Sequence, residues 1–178
     1  KKIAELKNFE NKSILEIGPG KGALTEYLLK KKPKKLLAIE KDEELKPFLM
    51  NIQKKYSEIF EIIFQDALTY EYSKIKDQKI CLVANLPYHI ATTLVIKWLR
   101  YIKKFESIII MVQREVAERL SAKVSTKFYG RTSVLVQLHT NVKKIFDVSP
   151  ENFYPKPKVD SSIIELSPKS NLNFNYEN

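Results

Sequence analysis

Compact apolar runs alternate with amphipathic stretches along this chain from its first residues onward. Residues 13–17, 35–39, 61–64, 80–84 and 107–112 read as strands. Leu24, Leu28 and Leu29 share a face in a helical stretch that ends near residue 32, and Asp42 can cap a helix through Leu45, Leu49 and Ile52. A longer helix is predicted over about residues 90–104, with Leu94, Val95, Trp98, Leu99 and Ile102 on one side, and another over residues 114–122. The pattern then changes: residues 133–142 alternate apolar and polar, as a half-buried strand does, and residues 162–166 form a further strand beyond a Pro-rich segment. Five β-then-α units closed by a hairpin-like pair predict an α/β protein with a seven-stranded, mostly parallel sheet. An antiparallel C-terminal strand and helices on both faces complete it. The whole is expected to be one domain over residues 1–167. Residues 168–178, polar and Asn-rich, read as a frayed tail or the start of a linker.

Composition narrows the class. The chain has 178 residues, 44% of them hydrophobic, which suits a folded domain with a real core rather than disorder. No apolar stretch approaches the ~20 residues needed to cross a bilayer. Cys81 is the single cysteine and lies in an apolar run, so no internal disulfide can form, and a cytoplasmic setting is expected. The net charge of +10 favours a polyanionic partner such as nucleic acid. That excess is mostly lysine, with Arg100, Arg114, Arg119 and Arg131 as the arginines, so a lysine-rich composition also contributes to it.

The candidate chemistry stands at the ends of the predicted strands. Gly18-Pro19-Gly20-Lys21-Gly22 occupies the turn from the first strand into the first helix, where glycines let backbone N–H groups approach a ligand. Gly18-x-Gly20-x-x-Ala23 also fits a dinucleotide fingerprint, and Glu40, ending the second strand, can accept ribose hydroxyls of a nicotinamide cofactor or of another adenosine ligand. Asp66 follows the third strand and Asn85 the fourth. In an open parallel sheet these ends meet at one crevice. Gly18, Glu40, Asp66 and Asn85 would then face a methionyl group, a ribose, an adenine and the transferred group in turn, an order that suits S-adenosylmethionine better than a pyrophosphate. Asn85-Leu86-Pro87-Tyr88 suits an exocyclic amine: the Asn85 side-chain oxygen and the Leu86 carbonyl each accept one N–H, Pro87 stiffens the turn, and Tyr88 offers a stacking face worth about 1–3 kcal/mol. His89 adjoins this group and is expected at the surface; His139 is expected to be structural.

These motifs carry a resemblance. Leu15-Glu16-Ile17-Gly18-Pro19-Gly20-Lys21-Gly22-Ala23-Leu24-Thr25 and Asn85-Leu86-Pro87-Tyr88 are similar to segments of the ribosomal RNA adenine N6-dimethyltransferases. The likeness continues through Gln113-Arg114-Glu115-Val116-Ala117-Glu118-Arg119-Leu120, Tyr129-Gly130-Arg131 and Phe153-Tyr154-Pro155-Lys156-Pro157-Lys158-Val159-Asp160-Ser161, covering about residues 13–166. The later motifs resemble the small-subunit (KsgA-type) branch more than the macrolide-resistance (Erm) branch. The resemblance implies a Rossmann-like class I S-adenosylmethionine-dependent methyltransferase that dimethylates two adjacent adenosines near the 3′ end of small-subunit rRNA. Its expected partner is that rRNA within a pre-ribosomal particle; no metal or membrane is implied, and a monomer is expected. Cofactor contacts are expected from Glu16, Gly18, Gly20, Gly22, Glu40, Asp66, Ala67 and Asn85, and catalytic contacts from Asn85, Leu86, Pro87, Tyr88 and Phe153. A family segment resembling Gly-Gln-x-Phe-Leu would precede Lys1, and a small helical domain would follow Asn178. The other readings are an Erm-type large-subunit enzyme, a DNA adenine N6-methyltransferase and a non-catalytic RNA-binding assembly factor. A nicotinamide-dependent dehydrogenase is more distant, since nothing here would serve as its acid or base.

Overall fold

The computed structural model describes residues 2–87, 89–152 and 159–170, so Tyr88 and Phe153 lie outside the described residues. Strands β1 (Ser13–Ile17), β2 (Lys35–Glu40), β3 (Phe60–Phe64), β4 (Ile80–Asn85), β5 (Phe105–Gln113), β6 (Thr140–Val148) and β7 (Ser161–Pro168) form one sheet in the order β3-β2-β1-β4-β5-β7-β6. β7 pairs antiparallel with β5 and with β6, and the remaining pairings are parallel. The expected mostly parallel sheet with one reversed C-terminal strand is therefore what forms.

Both faces of the sheet are covered, and each strand reads as apolar because its alternate residues enter different cores. Ile14 of β1 packs with Leu28 of α1 (Ala23–Leu29) and Leu49 of α2 (Lys46–Lys55). Leu15 and Ile17 face the other way, toward Leu94 and Trp98 of α3 (Ala91–Leu99), in a cluster completed by Leu120 of α4 (Arg114–Leu120) and Val136 of α5 (Arg131–His139). Trp98 is fully buried, a position where truncation to alanine costs about 3–5 kcal/mol. From β1 the sheet grows outward through β2 and β3 on one side and through β4 and β5 on the other. That reversal opens a crevice at the carboxyl ends of β1 and β4.

Three elements depart from the sequence pattern. The third connection, from β3 to β4, carries a 3-10 turn (Tyr72–Lys74) in place of an α-helix, so the β-then-α units are not uniform. The long helix predicted over about residues 90–104 stops at Leu99, as α3, and yields to a further 3-10 turn, Ile102–Lys104. Lys104 there donates to the carbonyls of Ser73 and Ile75, which draws the chain out of the helix axis. Residues 131–139, in the stretch whose alternation predicted a strand, are the helix α5, and β6 begins only at Thr140. Ser133 starts the helix: its Oγ accepts the Gly130 N–H at 3.1 Å and donates to the Arg119 carbonyl at 2.6 Å. Ser133, Val136 and His139, spaced by three, are buried, while Val134 and Leu138 remain 47% and 46% exposed. The alternation placed residues 134, 136 and 138 on one face, and packing against α3 and α4 selected a different set. His139 is structural as expected, with Nδ1 2.7 Å from the Leu135 carbonyl.

Helical burial of this segment has a direct consequence. Val136→Ala should cost about 2 kcal/mol in denaturant unfolding and Val134→Ala less than about 0.5 kcal/mol. Equal losses at the two positions would restore the strand assignment.

Candidate active site

Strand register builds the site. Ile17 of β1 pairs with Ile39 of β2 and with Ala84 of β4, so Gly18 stands level with Glu40 on one side and with Asn85 on the other. Glu40 in turn pairs with Phe64 at the end of β3, and Asp66 follows just above. The four strand-end residues singled out in the sequence thus share one rim.

The glycine turn is shaped by positive φ at Gly18, Gly20 and Gly22 (69°, 60° and 86°), values that side-chain-bearing residues adopt only under strain. The Gly18 N–H donates to the Ile39 carbonyl at 2.9 Å, which ties the turn to β2. Glu40 holds it from the other side: one carboxylate oxygen accepts the Gly20 N–H at 3.1 Å, and the second accepts the N–H groups of Lys41 and Asp42 at 2.8 and 3.0 Å. Glu40 is thereby fixed at the mouth of the turn, an acceptor suited to vicinal hydroxyls. A Cβ on Gly22 would strike Ile52 Cδ1, so that glycine serves the packing of the turn on α2 rather than ligand approach.

Asp66 caps the next loop. Its Oδ1 accepts the Leu68 N–H at 2.8 Å, its backbone carbonyl accepts from Thr69 and Tyr70, and Oδ2 lies 2.7 Å from the Lys41 ammonium. The Lys41 hydrogen bond and the Leu68 N–H hold this carboxyl below the usual range, so it is an acceptor at neutral pH. The Lys41 side chain is 74% exposed, and a ligand group can take its place at Oδ2 at little cost. Ala67 is buried beside it, with its carbonyl accepting from the Tyr72 hydroxyl at 3.1 Å.

Between these groups lies a cavity of about 230 Å³. Ile17, Gly18, Ile39 and Glu40 form one side; Gln65, Asp66, Ala67 and Leu68 form the second; Leu86, Pro87, His89 and Ile90 close the third. Mostly apolar walls with a few convergent polar groups are the usual make-up of a small-molecule site. Asn85 is exposed at the end of β4 beside this wall, and the Leu86 N–H reaches the Met111 carbonyl of β5 at 3.4 Å. Sequence reasoning missed Lys41, Gln65, Leu68 and Ile90, which lack a motif of their own and enter only through the register. His89 is exposed, as expected, and also lines the cavity.

Of the expected cofactor residues, Gly18, Glu40, Asp66 and Ala67 line the cavity, whereas Gly20, Gly22, Asn85 and Glu16 do not, Glu16 because of the side of β1 it takes. It points to the α1 face, is 1% exposed and lies beneath the glycine turn rather than on the cavity wall. Apart from the Thr25 hydroxyl close by, its carboxyl faces no hydrogen-bonding group among the described residues. Burial pushes its carboxyl up to about 8; the Thr25 hydroxyl opposes that shift and the Glu40 carboxylate adds to it.

A glycine turn flanked by the Glu40 and Asp66 carboxyl acceptors, opening on a mostly apolar cavity, fits an adenosyl ligand with an amino-acid tail. Among the described residues no cluster of three His, Cys, Asp or Glu side chains could hold a metal, and no helix is long and apolar enough to cross a membrane.

Residues 2–177 match the family model described as Ribosomal RNA adenine dimethylase. Ribosomal RNA small subunit methyltransferase A of Pelagibacter ubique is 44% identical over 174 residues, which cover 96% of this chain and 65% of that protein. Among solved structures, a dimethyladenosine transferase from Plasmodium falciparum superposes with a TM-score of 0.84 at 33% identity, covering 94% of this chain and 60% of that one. The 23S rRNA methyltransferase ErmE gives a TM-score of 0.78 at 26% identity, covering 95% of this chain and 66% of its own. The chain therefore spans less than two thirds of the length of each of these proteins.

The buried Glu16 makes stability depend on pH. Its folded-state value lies above the ordinary 4.5, so its contribution is complete below about pH 4.5 and is lost as pH rises toward about 8. Between about pH 5 and pH 8 the melting temperature of the wild-type protein should fall more than that of Glu16→Gln. Parallel curves for the two proteins would contradict the buried, neutral carboxyl.

Proposed function

This chain belongs to the ribosomal RNA adenine dimethylase family, and from that premise we propose that residues 1–167 are the catalytic domain of an S-adenosylmethionine-dependent enzyme that dimethylates adenine N6 in small-subunit rRNA. The observation that carries the reading is the shared level of Gly18, Glu40 and Asn85, with Asp66 just beyond. In this reading Gly18 and Gly20 approach the methionyl end of the cofactor, Glu40 accepts the ribose hydroxyls, and Asp66, beside Ala67, accepts the adenine amine. The cofactor supplies a methyl group on a sulfonium, with a neutral leaving group.

The residues of the chain do the rest. Adenine N6 is a poor nucleophile because its lone pair is delocalised into the ring. The Asn85 side-chain oxygen and the Leu86 carbonyl accept its two N–H groups and favour the pyramidal amine of the transition state over the planar ground state. Pro87 fixes the angle between these acceptors. Tyr88 and Phe153, outside the described residues, are proposed to stack on an adenine that has left its helix. Once nitrogen becomes cationic its proton is acidic, so no strong base is required. In-line positioning of amine and methyl supplies much of the remaining acceleration.

The small-subunit substrate rests on the 44% identity to the Pelagibacter protein, whose name states that substrate. The likeness to ErmE favours large-subunit rRNA as a second reading, at lower identity. The reading carries with it a monomer acting in the cytoplasm on a pre-ribosomal particle, bound partly through the +10 charge. Residues 168–178 would begin the linker to a helical domain.

Asn85→Ala in the full-length protein should lower methyl transfer to unmethylated small subunits about 100-fold or more while cofactor binding stays measurable. Unchanged turnover would refute the amine grip, and transfer to large subunits alone would move the substrate to the second reading.

A further inference from the structure

The loop that offers Asp66 to the ligand is short, and its carbonyls are held from outside. The Ala67 carbonyl accepts from the Tyr72 hydroxyl, and the Leu68 carbonyl accepts from the Lys97 ammonium of α3 at 2.6 Å. The same ammonium lies 5.2 Å from the centre of the Tyr72 ring, within cation–π range. It is half-buried, and its charge is near enough to Asp66 to help keep that carboxyl ionised. One side chain therefore touches both the Leu68 carbonyl and the tyrosine that holds the Ala67 carbonyl of a single loop. Asp66, Ala67 and Leu68 line the cavity wall, and Lys97 stands behind it.

Its place in the chain gives this contact a consequence. α3 begins at Ala91, directly after the wall residues Leu86, Pro87, His89 and Ile90 that follow Asn85. A rigid helix thus joins the segment that would grip the target amine to the loop that would hold the cofactor's adenine. We propose that Lys97 is a positioning residue for the adenine end of the cofactor, setting the loop over residues 66–68 at the height that the wall of Leu86, Pro87, His89 and Ile90 requires. This rests on the reading that the cavity takes S-adenosylmethionine. A bond from a charged donor to a half-buried carbonyl is strong enough for its loss to be read as affinity.

A comparison inside the same connection separates positioning from plain support. Lys104 donates to the carbonyls of Ser73 and Ile75 in the manner of Lys97, but it braces a stretch that does not reach the cavity. A lysine that merely satisfies carbonyls would behave alike at both positions.

The test uses the full-length protein, with S-adenosylhomocysteine and adenosine as calorimetric probes. Lys97→Met should weaken both ligands by the same factor, about tenfold, because the defect lies at the adenine end. In methyl transfer it should raise KM for S-adenosylmethionine by a similar factor and leave kcat at saturating cofactor within about twofold. Lys97→Arg, which keeps the donor and the charge, should recover most of the affinity, and Lys104→Met should bind as the wild type does. Wild-type affinity in Lys97→Met, an equal loss in Lys104→Met, or a fall in kcat at unchanged KM would each overturn the assignment. Failure of the wild-type protein to bind either probe would overturn the cofactor reading, and the role of Lys97 with it.

Discussion

Pairing of β1 with β2 on one side and with β4 on the other fixes the level at which each strand ends, and the proposed chemistry depends on that level. Gly18, Glu40 and Asn85 each follow a residue locked in the same row of the sheet, Ile17, Ile39 and Ala84 respectively. A slip of one residue in β2 would turn Glu40 to the opposite face and break its bonds to the Gly20, Lys41 and Asp42 N–H groups together. Burial on both faces prevents such a slip, because β1, β2 and β4 feed alternate side chains into two separate cores. Packing energy far from the rim is what places the polar residues on it.

The rim is also where the chain tolerates locally unfavourable features. Three glycines take positive φ within one turn, and a buried carboxyl with only the Thr25 hydroxyl close to it among the described residues lies under them. A buried polar group without a partner costs about 1–3 kcal/mol. Glu16 could have been an apolar residue like its neighbours Ile14 and Val83 in that layer. Its retention directly below the cradle, near Glu40, ties the electrostatics of the turn to the interior of the sheet.

Much of this was legible in the sequence, for identifiable reasons. The five parallel strands were found because two-sided burial makes them unbroken apolar runs, and Gly18, Glu40, Asp66 and Asn85 were found because each sits just past such a run. The failures have physical causes too. Residues 131–139 carry apolar side chains on more than one face, so Val134, Val136 and Leu138 simulate strand alternation, and only contact with α3 and α4 decides for a helix. Glu16, expected as a cofactor contact because it neighbours the glycines, is buried by the strand's alternation on the side of β1 that Ile14 takes. Lys41 and Leu68 became visible only when β2 and the loop after β3 came together.

Structure determination of the full-length protein with bound S-adenosylhomocysteine tests the central claim most directly. The account predicts ribose hydroxyls within hydrogen-bond reach of Glu40, adenine N6 against Asp66 with Lys41 displaced, and the sulfur facing Asn85. A ligand bound in the reverse direction, or with its sulfur remote from Asn85, would contradict it.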